Sequence, residues 1–184
     1  MSFFQQSVQN KYLSQLDDKL VNEAYRKYSA YFLNPQIQEN IRDSKEEQFQ
    51  EGFLRELFVN ILGYTINPTP GYDLTTELKN EKGAKKADGA IMKDGKAIAV
   101  IELKGTDTID LDKVTNQAFN YKNNQSSCVY VVTSNFEKLR LYINDSINFE
   151  EFNLFILSVE RFKLLWLCLS KDSMFKNIPL RIKE

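Results

Sequence analysis

The sequence predicts an α/β fold, a mixed central β-sheet flanked by helices. Three observations lead there. Apolar residues recur at helical spacing through the first third of the chain. Runs of strand length then take over after Gly63. One helical stretch falls between those strands and another follows them, so the order is helix, helix, strands, helix, strands, helix.

Leu13, Leu16, Leu20, Ala24, Tyr28 and Tyr31 step by three or four and predict a first helix that ends at Asn34-Pro35, because the residue before proline is pushed out of the α region. A second helix, capped by Asp43 or Ser44, carries Phe49, Phe53, Leu57 and Ile61 with Leu54, Phe58 and Leu62, and Gly63 is its stop. Asn67-Pro68-Thr69-Pro70-Gly71 reads as a loop. Tyr72–Leu78 is a modest strand. Ala87–Met92 and Ala97–Leu103 flank Asp94-Gly95, which predicts a hairpin with a tight turn. The nearly continuous run AIAVIEL suits a strand covered on both faces. Asp110 can cap a helix from about Leu111 to Tyr121, strands follow at Cys128–Thr133 and Lys138–Ile143, and an apolar docking helix spans about Ser158–Leu169. The reading is one domain over 1–184: a helical part at about 10–63, a sheet core at about 64–145 and the docking helix within about 153–170.

Composition narrows the chemistry. In 184 residues, 24 Lys and Arg oppose 25 Asp and Glu, a net charge of −1, which argues against a wholesale polyanion binder but allows a local basic patch. The chain has no histidine. A Ser-His-Asp triad, a Cys-His nucleophile, a histidine zinc site and an imidazole base are all excluded. Cys128 and Cys168 lie far apart in apolar runs and read as buried thiols of a cytoplasmic protein. The N-terminus lacks the pattern of a secretory signal, and no apolar stretch approaches membrane-spanning length.

What remains is carboxylate chemistry. Asp88 lies near the start of the first hairpin strand, and Glu102 and Lys104 close the second. Strand side chains alternate, so Glu102 and Lys104 share a side while Leu103 points into the core, and the hairpin returns Asp88 to them. Two such carboxylates suit Mg²⁺, which keeps several waters. A lysine beside them can orient or deprotonate an attacking water and offset charge on a phosphorane. Lys79, Lys82, Lys85 and Lys86, interleaved with glutamates, read as a solvated hairpin rim; beside a phosphodiester site Lys82, Lys85 and Lys86, with Tyr121, would also position a phosphate backbone without reading sequence. Gln117 and Tyr121, four apart, share a face of the following helix.

The segments KKADGAI, AVIELKG, QAFNY and VYVVTSNFEKLRLY, in that order, resemble the PD-(D/E)xK nuclease superfamily, with Ala87 where its name has proline. More closely they resemble the N-terminal endonuclease region of type IIG restriction-modification enzymes and of type I restriction subunits, over roughly residues 43–143. The resemblance implies a restriction-endonuclease-like fold and Mg²⁺-dependent, Mn²⁺-tolerant cleavage of double-stranded DNA in a prokaryotic cytoplasm. By the family pattern Asp88 and Glu102 ligate the metal and Lys104 is the catalytic lysine. Gln117 and Tyr121 match a QxxxY element. Glu47, with Glu51 as competitor, supplies a glutamate from the preceding helix. Neither a phosphate-binding motor loop nor a methyltransferase motif occurs, so methylation and target recognition are expected elsewhere, in a longer chain or a partner subunit. The rival expectation is a catalytically silent nuclease fold serving as a DNA-binding or assembly module. The intact Asp88, Glu102 and Lys104 speak against it.

Overall fold

The computed structural model describes residues 4–83 and 85–184. The first three residues, read above with a non-secretory N-terminus, lie outside them. Six strands run β1 (Leu74–Lys79), β2 (Lys86–Lys93), β3 (Lys96–Leu103), β4 (Tyr130–Ser134), β5 (Lys138–Ile143) and β6 (Phe149–Asn153), and they lie in the sheet in that order. Only β3 and β4 pair in parallel; every other pair is antiparallel, so the sheet is mixed. The β2–β3 hairpin turns on Asp94 and Gly95, both at positive φ, as a tight two-residue turn requires. The parallel pair needs a crossover, and α5 (Asp112–Asn123) supplies it.

The predicted first helix is two. α1 (Gln6–Leu13) stops before Asp17, whose carboxylate caps α2 (Asp18–Phe32) by accepting from Lys19 and Leu20 N–H. The i, i+4 stripe runs on across that break, which is why the pattern alone joined the two. Asn34 does more than end a helix: its side chain caps α3 (Pro35–Asp43), where Pro35 takes the first-turn position that needs no N–H. The cap of α4 (Glu46–Phe53) is neither Asp43 nor Ser44. Lys45 N–H donates to the side chain of Gln48 instead.

From α4 the chain continues as a π-helix over Leu54–Ile61, and Leu62 N–H reaches back five residues to Leu57. The reason is in the sequence. The pairs Phe53/Leu54, Leu57/Phe58 and Ile61/Leu62 recur every four residues, which drifts by roughly 40° per repeat on a 3.6-residue turn. Widening the turn keeps all of them buried.

The two faces of the sheet are covered unequally. One carries the main core, where α2, α4, the π-helix and α6 (Val159–Leu169) pack Tyr28, Phe32, Phe53, Leu57 and Phe162 on the inward side chains of Ile101, Leu103, Tyr130 and Val132. α7 (Lys171–Phe175) and α8 (Ile178–Lys183) close that side, so the docking helix is followed by two short ones. The other face holds a small cluster, Ala87, Val100, Ala118, Tyr121, Cys128, Val131 and Tyr142, under α5. Both cysteines are free and buried. Among the described residues no helix is long and apolar enough to cross a membrane.

The sheet also extends beyond the expected boundary near 145, because FEEFN forms β6. Two glutamates in five residues mask a strand signal. Here Arg140 neutralises Glu151 at 2.6 Å and stacks on Phe149, while Arg161 lies over Phe152 and donates to the Glu151 carbonyl at 2.6 Å.

Candidate active site

The hairpin brings Asp88 back to the end of β3. Its Oδ2 accepts from Leu103 N–H at 2.8 Å, which ties the first strand's carboxylate to the backbone between Glu102 and Lys104. Gly89 makes the approach possible from the other side, since a Cβ there would lie 3.2 Å from Leu54 of the π-helix. Glu102 is 2 % exposed, on the α5 face that Val100 also occupies. Its Oε1 accepts from Gln117 Nε2 at 2.6 Å, and Gln117 in turn donates to the Tyr121 hydroxyl at 3.1 Å. Lys104 Nζ stands 3.6 Å from Glu102 Oε1 and 3.6 Å from Glu46 Oε1. Asp88, Glu102, Lys104 and Gln117 therefore meet at one sheet end.

The glutamate of the preceding helix that reaches Lys104 is Glu46, held by Gln50 at 3.1 Å. Glu47 is exposed and lines, with Gln50, Glu51 and Asp88, a neighbouring cleft of about 210 Å³. Glu51 pairs with Arg55. Glu46 escapes the sequence reading, yet it stands three and seven residues before Phe49 and Phe53, on their side of the α-helical α4, and that spacing is the signal that could have found it. Glu77 escapes that reading too. It lines the same cleft from β1 with φ at 50°, in a strand whose pairing skips from Thr76 to Leu78, and its carboxylate pairs with Lys86 at 3.3 Å. Tyr121 is buried, its hydroxyl occupied by Gln117. Lys82 and Lys85 are exposed on the β1–β2 connection, which Glu81 tethers to the end of α5 through Ser126, and Lys86 is exposed at the start of β2.

The electrostatics are those of a site built against stability. Burial, with Asp88 close by, pushes the Glu102 carboxyl up to about 8, despite the opposing pull of Lys104. Burial likewise raises Asp88, against the Leu103 N–H and Lys104. Glu102 Oε2 is buried with no hydrogen-bond partner.

The chain matches no family model, no curated protein and no solved structure.

Among the described residues no group of three or more His, Cys, Asp or Glu side chains is gathered for a metal. Mg²⁺ does not require one, since one or two carboxylates plus waters and substrate phosphate oxygens complete its shell. The orphaned Glu102 oxygen beside Asp88, in an all-oxygen donor set, fits such an ion.

Proposed function

We propose that this chain is a Mg²⁺-dependent DNA endonuclease domain of restriction-endonuclease-like fold, acting within a restriction-modification enzyme on phosphodiester bonds. The observation that carries the reading is the Glu102 carboxylate, fastened through one oxygen by Gln117 while the other stays buried and unpartnered beside Asp88 and Lys104. A fold that buries a carboxylate without satisfying it gives up stability, and such groups concentrate at functional sites.

Asp88 and Glu102 would hold Mg²⁺, or Mn²⁺ in its place, which when bound polarises a phosphoryl oxygen and acidifies a water. Gln117 fixes the orientation of Glu102, and the Leu103 N–H does the same for Asp88. Burial works against the Lys104 ammonium, but Glu102, Glu46 and Asp88 together outweigh it and hold its pKa above the ordinary lysine value. Lys104 thus acts as a cation: it donates to the attacking water and offsets charge on the phosphorane, rather than serving as a base. The duplex backbone meets Lys82, Lys85 and Lys86 at the rim. Methylation and target recognition belong to other regions of a longer chain or to a partner subunit.

The test is cleavage of duplex DNA in Mg²⁺ and Mn²⁺ beside calorimetric titration of the same ions. Asp88→Asn and Glu102→Gln should lose both ion binding and cleavage. Lys104→Ala should keep ion binding and lose roughly 10²–10³ in rate, as removal of one transition-state donor does. Cleavage by Lys104→Ala at the wild-type rate would overturn the mechanism.

A further inference from the structure

The site lies between two walls of opposite character. On the α4 side stand Glu46, Glu47 and Glu51, with Glu77 from β1; Glu46, Glu51 and Glu77 are ion-paired to Lys104, Arg55 and Lys86, so the cations of this wall are engaged and Glu47 is left exposed. On the α5 side the sequence carries no carboxylate at all from Lys113 to Phe136, in a chain with 25 Asp and Glu. α5 buries Val114, Thr115, Ala118 and Tyr121, and so turns Lys113, Asn116, Asn120 and Asn123 outward together with Gln117. These spacings of three and four make one continuous ridge. The side chains of Lys113, Asn116, Asn120 and Asn123 make no hydrogen bond or ion pair among the described residues, whereas the helix's one acidic residue, Asp112, is taken by Arg140.

The ridge is continuous with the basic turn. Glu81 N–H donates to the Asn124 carbonyl, the Glu81 carboxylate accepts from Ser126, and Gln125 donates to the Lys79 carbonyl, which anchors the Lys82 and Lys85 loop at the C-terminal end of α5. Lys113, Asn116, Asn120 and Asn123 offer amide donors and an ammonium to phosphate oxygens with no carboxylate among them, the Glu81 carboxylate of the adjoining loop being held by Ser126, and the ridge leads to Gln117, which touches Glu102.

We infer that the outer face of α5 is a track for the DNA backbone, on which one strand is delivered to the Asp88 and Glu102 carboxyls from the α5 side while the α4 wall stays outside the phosphate path. The inference rests on the nuclease reading for the identity of the polyanion.

Fluorescence anisotropy of a labelled duplex in Ca²⁺ buffer tests it, with the full chain as wild type, as Lys113→Glu/Asn120→Glu, and as Lys11→Glu/Asn22→Glu. The last pair makes the same change of charge on helices of the opposite sheet face. The α5 variant should bind at least roughly tenfold more weakly, with a salt slope shallower by about one for each phosphate no longer engaged, and the control should stay within about twofold of wild type. All substituted positions are exposed, and thermal melts report whether the fold survives. Equal losses in both variants, wild-type binding by the α5 variant, or no binding by wild type each overturn the track. Parallel cleavage assays separate the two readings. Wild type that binds through α5 yet never cleaves in Mg²⁺ or Mn²⁺ defeats the nuclease reading and leaves the track standing, whereas cleavage with unimpaired α5 variants does the reverse.

Discussion

The two faces of the sheet teach different things. The broad face is covered by helices from both ends of the chain, with Phe53 fully buried edge-on to Phe32 and Phe49 and tilted against Phe136. The narrow face has α5 over a few apolar side chains, and side-chain hydrogen bonds steady it: Thr115 with Tyr142 at 3.0 Å, Arg140 with Asp112, and Gln117 with Glu102 at 2.6 Å. Aromatic packing on the broad face supplies most of the burial, which leaves the narrow face able to carry an unsatisfied carboxylate at its margin. The bulk of the burial and the candidate site are thus divided between the sides of one sheet, although the broad face too buries an unpartnered carboxyl oxygen, Glu150 Oε1 near Cys168.

That division breaks most visibly at Phe53. Phe53→Ala should cost about 3–5 kcal/mol in urea unfolding, because the surrounding rings cannot collapse into the void. A loss no larger than that of a surface substitution would show that the broad face is not the stabilising one.

Comparable in size is the effect at Glu102. Its folded pKa of about 8 lies above the unfolded value of 4.5, so its contribution is fully present below pH 4.5 and is lost as pH rises through 8. Metal-free Glu102→Gln should therefore be more stable than wild type by on the order of 5 kcal/mol well above pH 8, with little difference at pH 4. Chemical unfolding across that range in a chelator decides it. Equal stability at both ends of the range would mean that the buried carboxylate carries no strain.

A smaller cost with a selective consequence is expected at Ala118, fully buried between α5 and the sheet. Ala118→Leu should cost about 1–3 kcal/mol by overpacking. It should also weaken Mg²⁺ binding out of proportion, since it lifts Gln117 away from Glu102. Calorimetry on the folded variant measures this, and undiminished ion affinity would show that α5 does not position the carboxylate. The smallest effect is that of Tyr142→Phe, about 1 kcal/mol for the missing bond to Thr115, read as a shift in melting temperature.

Local periodicity determined much of this protein. It specified the α/β class, the Asp94-Gly95 hairpin, the strands that carry Asp88 and Glu102 with Lys104 just past the end of the second, and the helix on which Gln117 and Tyr121 stand together. Each of these depends on neighbours within a few residues, and alternation along a strand is enough to aim a side chain. Asp110, too, was legible as a helix-starting residue, since its carboxylate accepts from Asp112 N–H. Tertiary structure decided the rest. Whether Glu46 or Glu47 faces Lys104 is decided by how α4 docks beside the end of β3. β6 is held by Arg140 and Arg161, eleven and ten residues from Glu151 on the neighbouring strand and helix, which pair with and cover a glutamate-rich strand that its own residues do not favour. The high pKa of Glu102 likewise arises only when β3, β2 and α5 close around it, because desolvation is a property of the packed neighbourhood and not of the residue.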